Sequence, residues 1–162
     1  MNDIDLEHLR AAIAAAWRAR ERGNHPFGAV LTDGTGRIVL EAENTVVTER
    51  DTTGHAETNL VRMATRRFTA AELAHCTLYA SVEPCAMCAG ASHWAGIGRV
   101  VYALSELDLY ALIGPSPHQL VIPCRDIFAR AGRATEVLGP APELDADARA
   151  VHAGFWNRRQ PA

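Results

Sequence analysis

The chain has 162 residues, 48% hydrophobic and 22% charged, with a formal net charge of −3 at pH 7. That is enough chain for one proper core, and the composition is that of an ordinary globular protein, not a disordered or fibrous one. No stretch approaches a membrane span, the N-terminus lacks the apolar core of a signal peptide, and the acidic balance argues against a chain built mainly to hold nucleic acid.

Asp3 and Asp5 are N-cap candidates for a first helix in which Leu6, Leu9, Ile13, Ala16 and Trp17 recur at helical spacing and which Gly23 closes. Arg18, Arg20 and Arg22 suit the negative end of its dipole and read as a solvated face. Phe27 to Leu31 is strand-like, Thr32 to Gly36 supplies a turn, and Arg37 to Ala42 returns as the second arm of a hairpin. Asn44, at the strand end, reads by itself as a turn former. His55 to Arg67 predicts a helix with Leu60, Val61 and Ala64 inward. Thr69 and Glu72 form a capping box. Cys76 to Val82 alternates as a buried strand, Cys85 to Gly96 is helical, and Gly98 to Ala103 is a further strand. A right-handed crossover makes those two strands parallel.

From Ser105 to Arg133 the sequence informs less. Leu107 to Ile113 reads as a brief helix and Gly114 to His118 as a loop, the expected specificity segment, with His118 exposed. Thr135 to Leu138 predicts a last strand. Pro140 and Pro142 break it, and Glu143 to Phe155 reads as a closing helix packed down by Trp156, with Asn157, Arg158 and Arg159 exposed. With no repeat or linker, residues 1–162 read as a single domain.

Chemistry concentrates at Val82-Glu83-Pro84-Cys85-Ala86-Met87-Cys88, together with His55-Ala56-Glu57. Cys85 and Cys88, three apart, share one face of a helix, and Pro84 fits its first turn. Thiolates at a helix N-terminus are favoured by its positive potential. His55 is the best third ligand, and three protein ligands on Zn²⁺ leave one position for water. Two residues along a helix point apart, so Glu57 sits beside that position instead of sharing the ion. Two thiolates roughly cancel the dication, which leaves the water less acidified and gives a neighbouring carboxylate a proton to accept. A bare C-x-x-C also reads as a redox pair or half a structural zinc site. Neither has a use for Glu57. Cys76 and Cys124 read as small buried residues, and four cysteines so divided form no disulfide framework, which makes a cytoplasmic location the expectation.

The pattern H-x-E…P-C-x-x-C is the signature of zinc deaminases. On these residues the chain resembles the cytidine-deaminase-like superfamily, in its guanine, cytosine and tRNA-adenosine deaminase branch, well from Leu6 to Ala103 and in outline beyond. The resemblance implies an α/β fold, a three-layer α/β/α sandwich around a central five-stranded mixed sheet, with one zinc per subunit and usually a homodimer. It gives Asn44 the substrate's ring edge, the backbone N–H groups of Ala56 and Cys85 the substrate or water, and Phe27 and Trp94 the pocket wall. Pro26-Phe27-Gly28-Ala29-Val30 and Gly90-Ala91-Ser92-His93-Trp94-Ala95 look like guanine deaminases. Thr52 and Gly54 replace a Pro and an Ala common there, and Ala111 to Val121 holds no counterpart of their acidic pocket residue.

The expectation is therefore zinc-dependent hydrolytic deamination of a free nucleobase or related amino-heterocycle, releasing ammonia. Two alternatives stand beside it. Cys88-Ala89-Gly90-Ala91 and Ile97 to Val101 look like tRNA-specific adenosine deaminases, but their basic stretch after this strand is missing. An inactive, zinc-stabilised interaction module is the other.

Overall fold

The computed structural model describes residues 1–156. The elements are α1 (Asp3–Glu21), β1 (Gly28–Thr32), β2 (Ile38–Glu43), α2 (Ala56–Arg67), α3 (Ala70–Leu73), β3 (Thr77–Val82) and α4 (Ala86–Ala95). They continue as β4 (Arg99–Leu104), α5 (Glu106–Ile113), α6 (Cys124–Phe128), β5 (Glu136–Leu138), a 3₁₀ turn (Pro142–Leu144) and α7 (Asp145–Ala150). The five strands form one mixed sheet in the order β2-β1-β3-β4-β5. β1 is antiparallel to both β2 and β3, whereas β3–β4 and β4–β5 are parallel.

Period-two alternation places the core on both faces of the sheet. Leu78, Ala80, Val100 and Tyr102 face α2, α4 and α6, where Leu60, Ala64, Ala89 and Phe128 meet them. Tyr79, Val101 and Ala103 face the other way, onto Leu9 and Ile13 of α1 and Leu144 and Ala148 near α7. This is the expected α/β/α arrangement. α1 sits very close to β1, since a Cβ on Gly28 would stand 2.4 Å from the Ala12 carbonyl oxygen and the Ala16 nitrogen.

Several local expectations are corrected. The cap of α1 is Asn2, whose side chain accepts from the Asp5 N–H while the Asp5 carboxylate accepts from the Asn2 N–H. Asp5 is thereby buried and receives Arg99 at 2.7 Å and the Tyr79 hydroxyl at 2.9 Å. The arginines at the end of α1 are engaged. Arg18 pairs with Glu41 and Glu43, Arg22 with Glu43, and Arg20 donates to the carbonyls of Val151 and Ala153 at 2.6 and 2.9 Å. The closing helix is shorter than Glu143 to Phe155: it ends at Ala150, and residues 151–156 are turns. Cys124–Phe128 forms a helix that its length hid from periodicity. Asn157, Arg158 and Arg159 lie outside the described residues. None of the described helices is long and apolar enough to cross a membrane.

Candidate active site and metal centre

The C-terminal ends of β3 and β4 deliver the chain to Cys85 and Glu106, at the starts of α4 and α5. β1 runs against β3, so Phe27, just before it, lies at the same edge of the sheet. Gly28 pairs with Glu43, which brings Asn44 there too, its N–H donating to the Phe27 carbonyl at 3.1 Å. The start of α2 is tied in by the Asn59 side chain, which donates to the Glu43 carbonyl at 3.0 Å. Carboxyl ends of parallel strands form a natural crevice in α/β sheets.

His55 and Cys85 are both N-cap residues in extended conformation, so each stands at the positive end of a helix. Pro84 therefore precedes the cap and is not in the first turn. His55 Nδ1 lies 3.6 Å from each sulfur, and the sulfurs lie 3.6 Å apart. A tetrahedral zinc with its usual bond lengths needs edges of about 3.8 Å between sulfurs and about 3.6 Å between sulfur and nitrogen. The three donors thus fit Zn²⁺ and leave a fourth corner to something other than protein. Among the described residues no fourth His, Cys, Asp or Glu completes the group.

The sulfurs and imidazole act on one another electrically. The neighbouring Cys88 thiol, helped by His55 and opposed by burial, lowers Cys85 to about 4, while Cys88 itself is pushed up by the Cys85 thiolate. His55 is raised, first by its bond to Cys85. Thr58 Oγ1 lies 3.4 Å from the Cys88 sulfur. Negative charge therefore settles on the Cys85 sulfur and not on Cys88.

Glu57, in the first turn of α2, is 6% exposed, and its Oε2 lies 3.6 Å from the Cys88 sulfur. Burial, and then the Cys85 thiolate, raise its carboxyl to about 7, which suits a group that takes and returns a proton near neutral pH. Glu57 and the ligands His55 and Cys85 open into a cleft of about 400 Å³. Its apolar wall includes Phe27, Leu109, Ile113 and Trp156, and its polar wall includes Glu106, Tyr110, His118 and Gln119. An apolar cleft of this size with a few converging polar groups suits a small planar ligand.

The other expected site residues divide. Phe27 lines the cleft. Asn44 is 1% exposed and uses its Oδ1 to accept from the Val46 N–H, while its Nδ2 is buried with no partner among the described residues. Ala56 is fully buried at the first position of α2, where a backbone N–H has no partner within the helix. Trp94 is placed elsewhere: it is 87% exposed on α4 and does not line the cleft. The aromatic wall is Trp156, packed at 6.0 Å from Phe27 and stacked on His152, whose Nδ1 accepts from the Trp156 indole. No local pattern distinguishes a pocket tryptophan from one that packs a helix, so Trp156 reads from its sequence neighbours only as a packing residue.

A further acid, Glu106, faces the cleft directly after β4, ahead of Ala111 to Val121, and no local pattern marks it. Glu83 anchors this wall, its Oε2 accepting from the Glu106 N–H at 3.2 Å and its Oε1 from the Cys124 N–H at 2.9 Å. The loop bearing Cys85 is thus joined to the starts of α5 and α6.

Comparison with known proteins agrees with this geometry. Residues 2–104 match the family described as "Cytidine and deoxycytidylate deaminase zinc-binding region". The chain is 40% identical over 159 residues to a probable cytosine deaminase of Schizosaccharomyces pombe, covering 97% of this chain and 95% of that one. It is 41% identical over 101 residues to the guanine deaminase of Bacillus subtilis, covering 62% of this chain and 64% of the other. The crystal structure of the Bacillus subtilis enzyme superposes with a TM-score of 0.60 over 76% of this chain and 83% of that one, at 35% identity. A structure from work on A-to-I editing by tRNA wobble-position deaminases superposes with a TM-score of 0.68 at 25% identity, over 90% of this chain and 99% of the other.

Proposed function

We propose, from the premise that this chain belongs to the cytidine and deoxycytidylate deaminase zinc-binding family, that its substrate is a free nucleobase or a related small amino-heterocycle. As a member the chain is a zinc-dependent hydrolytic deaminase, with His55, Cys85 and Cys88 positioned as the zinc ligands. The observation that carries the substrate reading is the cleft: about 400 Å³, walled by aromatic and aliphatic side chains, with the carboxylate of Glu57 beside the ligand group.

When bound, the ion supplies the Lewis acidity that makes water a nucleophile at neutral pH. Phe27 and Trp156 hold the flat ring. The Asn44 Nδ2 donates to the ring edge, a partner that a buried amide otherwise lacks at a cost of about 1–3 kcal/mol. The N–H groups of Ala56 and Cys85 steady the substrate or the attacking water. Glu57 takes a proton from that water as oxygen bonds to the amine-bearing carbon and gives it to the ring nitrogen, then carries the added hydroxyl's proton to the departing amine. The carbon–nitrogen bond breaks and ammonia leaves, so one water is consumed per amine converted to a carbonyl.

The active unit is a homodimer located in the cytoplasm. Supporting the dimer, Met87, Gly90, Ala91 and Trp94 form one stripe on α4, with Trp94 exposed and Met87 partly so. Trp94→Glu should shift the sedimentation of the protein to that of a monomer. A second reading, action on tRNA, is favoured by the likeness to a tRNA-specific adenosine deaminase of Haemophilus influenzae, 35% identical over 111 residues. Ammonia release across free bases, aminotriazines, nucleosides and one tRNA decides between them. The free-base reading expects turnover with a free base or triazine that is insensitive to salt. Turnover confined to tRNA, falling steeply as salt rises, contradicts it.

A further inference from the structure

Glu83 is 7% exposed and stands two residues before Cys85. Its Oε2 accepts from the Glu106 N–H at 3.2 Å and its Oε1 from the Cys124 N–H at 2.9 Å. Those are the first N–H groups of α5 and α6, which no bond within either helix can satisfy. Ser105 caps α5 further on, through the Asp108 N–H, whereas the cap position of α6 is Pro123, whose side chain can accept nothing. One buried carboxylate therefore closes both ends of the segment 106–124. That segment supplies Tyr110, Ile113, His118 and Gln119 to the cleft. Between its two helices the hydrogen bonds are local. The Gln119 N–H donates to the Ser116 carbonyl at 3.2 Å, the Gln119 side chain to the Gly114 carbonyl at 2.7 Å, and the Ile122 N–H to the Leu120 carbonyl at 2.9 Å. Where this stretch stands over the cleft thus depends on where its ends are held.

Toward the metal centre the chain is stiff. The Glu83 N–H donates to the Leu104 carbonyl at 2.8 Å, at the end of β4. Pro84 locks its own φ and disfavours the helical region for Glu83, so a shift of Cys85 is passed back to the carboxylate. We propose that Glu83 is a positioning residue that couples the metal centre to the cleft wall: Cys85, once pinned by the ion, fixes the Glu83 carboxylate, which fixes the segment 106–124. The coupling rests on zinc ligation and not on which base is deaminated. Leu109 of α5 and Cys124 and Phe128 of α6 are core residues, so the segment keeps its fold when the carboxylate is altered. Glutamine at position 83 offers one carbonyl oxygen, and its amide group meets an N–H that it cannot accept. One end of the segment is then released.

The test is amide hydrogen exchange of zinc-loaded and zinc-free wild type and Glu83→Gln. In wild type, zinc should slow exchange at Glu106 and Cys124 by at least about tenfold, the scale of a hydrogen bond to a charged group. At α3, which lies before β3 and so at the end away from Cys85, the change should stay under about threefold. Glu83→Gln should carry one zinc per chain and keep the zinc response of the first turn of α4, while that of 106–124 falls below about threefold. On whichever of cytosine and guanine wild type turns over, Glu83→Gln should raise KM about tenfold and change kcat by less than about threefold, as expected when binding alone is loosened. A response of 106–124 that survives in Glu83→Gln would overturn the coupling and assign it to the packing of α4 on α6. An equal response in α3, or unfolding of zinc-free wild type, would overturn it as well, because the segment would then report only the stability of the whole fold. If Glu83→Gln does not fold, the wild-type comparison of 106–124 with α3 decides. Zinc-dependent exchange that requires Glu83, without turnover of either base, sustains the coupling while the substrate reading fails.

Discussion

Glu57 and Glu106 are two buried carboxylates in one cleft, each raised to about 7 with burial the leading cause. Their partners give them different work: Glu57 lies against a ligand sulfur, while Glu106 is fixed by a phenol and a second acid. Aromatic residues divide just as clearly. Trp156→Ala should raise KM about 10- to 100-fold, the scale of losing one stacking surface, with zinc content unchanged. Trp94→Ala, remote from the cleft, should leave KM within about threefold as long as sedimentation shows the assembly unchanged, and any larger change must come with altered assembly on the same sample. The metal residues were legible because a ligand set needs particular residue types at particular spacings. Trp156 and Glu106 were not, since a tryptophan after a helix and a glutamate after a strand have many ordinary uses.

At the level of elements, the last turns of the chain are held to α1 by Arg20, whose guanidinium bonds two carbonyls and stacks over Phe155 at 5.9 Å. Arg20→Ala should expose residues 151–156 to amide exchange at a cost of about 2 kcal/mol, and raise KM more than it lowers kcat. Unchanged exchange in that segment would show that the contact does not hold it. His152 gives the same segment a pH dependence. Burial, and then Arg20, push its imidazole down to about 4, so the unfolded segment takes up a proton more readily than the folded one. Its contribution is full above about pH 6.5 and is lost as pH falls toward 4, by up to about 3 kcal/mol. Trp156 fluorescence should report the loosening, and His152→Gln should abolish that pH dependence. The helix expected over Glu143 to Phe155 ends early because Arg20 and the turns take over its last carbonyls, a tertiary effect that no local pattern carries.

For the whole molecule, two cores on the faces of a five-stranded sheet make a fold that does not depend on the ion for its existence. The alternation of Cys76 to Val82 and the apolar run of Gly98 to Ala103 made two strands of that sheet readable from sequence, while its five-stranded mixed form followed from the family resemblance. The short α6 and the antiparallel pairing of β1 with β3 were set by contacts distant in the chain. Zinc should still add stability by binding only the folded state. At an ion concentration about 1,000 times Kd this is about 4 kcal/mol, or a rise in Tm of about 10 °C. Chelation should therefore lower Tm by that order while circular dichroism at 25 °C keeps the native signal. Complete unfolding on chelation would favour the zinc-stabilised interaction module instead.

The account stands most directly on the division of labour between the three ligands and the carboxylate beside them. Wild type and Glu57→Gln, loaded with zinc under the same conditions, should each carry one ion per chain, and ammonia release from the best free base should fall by at least about 100-fold in the variant. Equal turnover in the two proteins, or loss of the ion from Glu57→Gln, would contradict it.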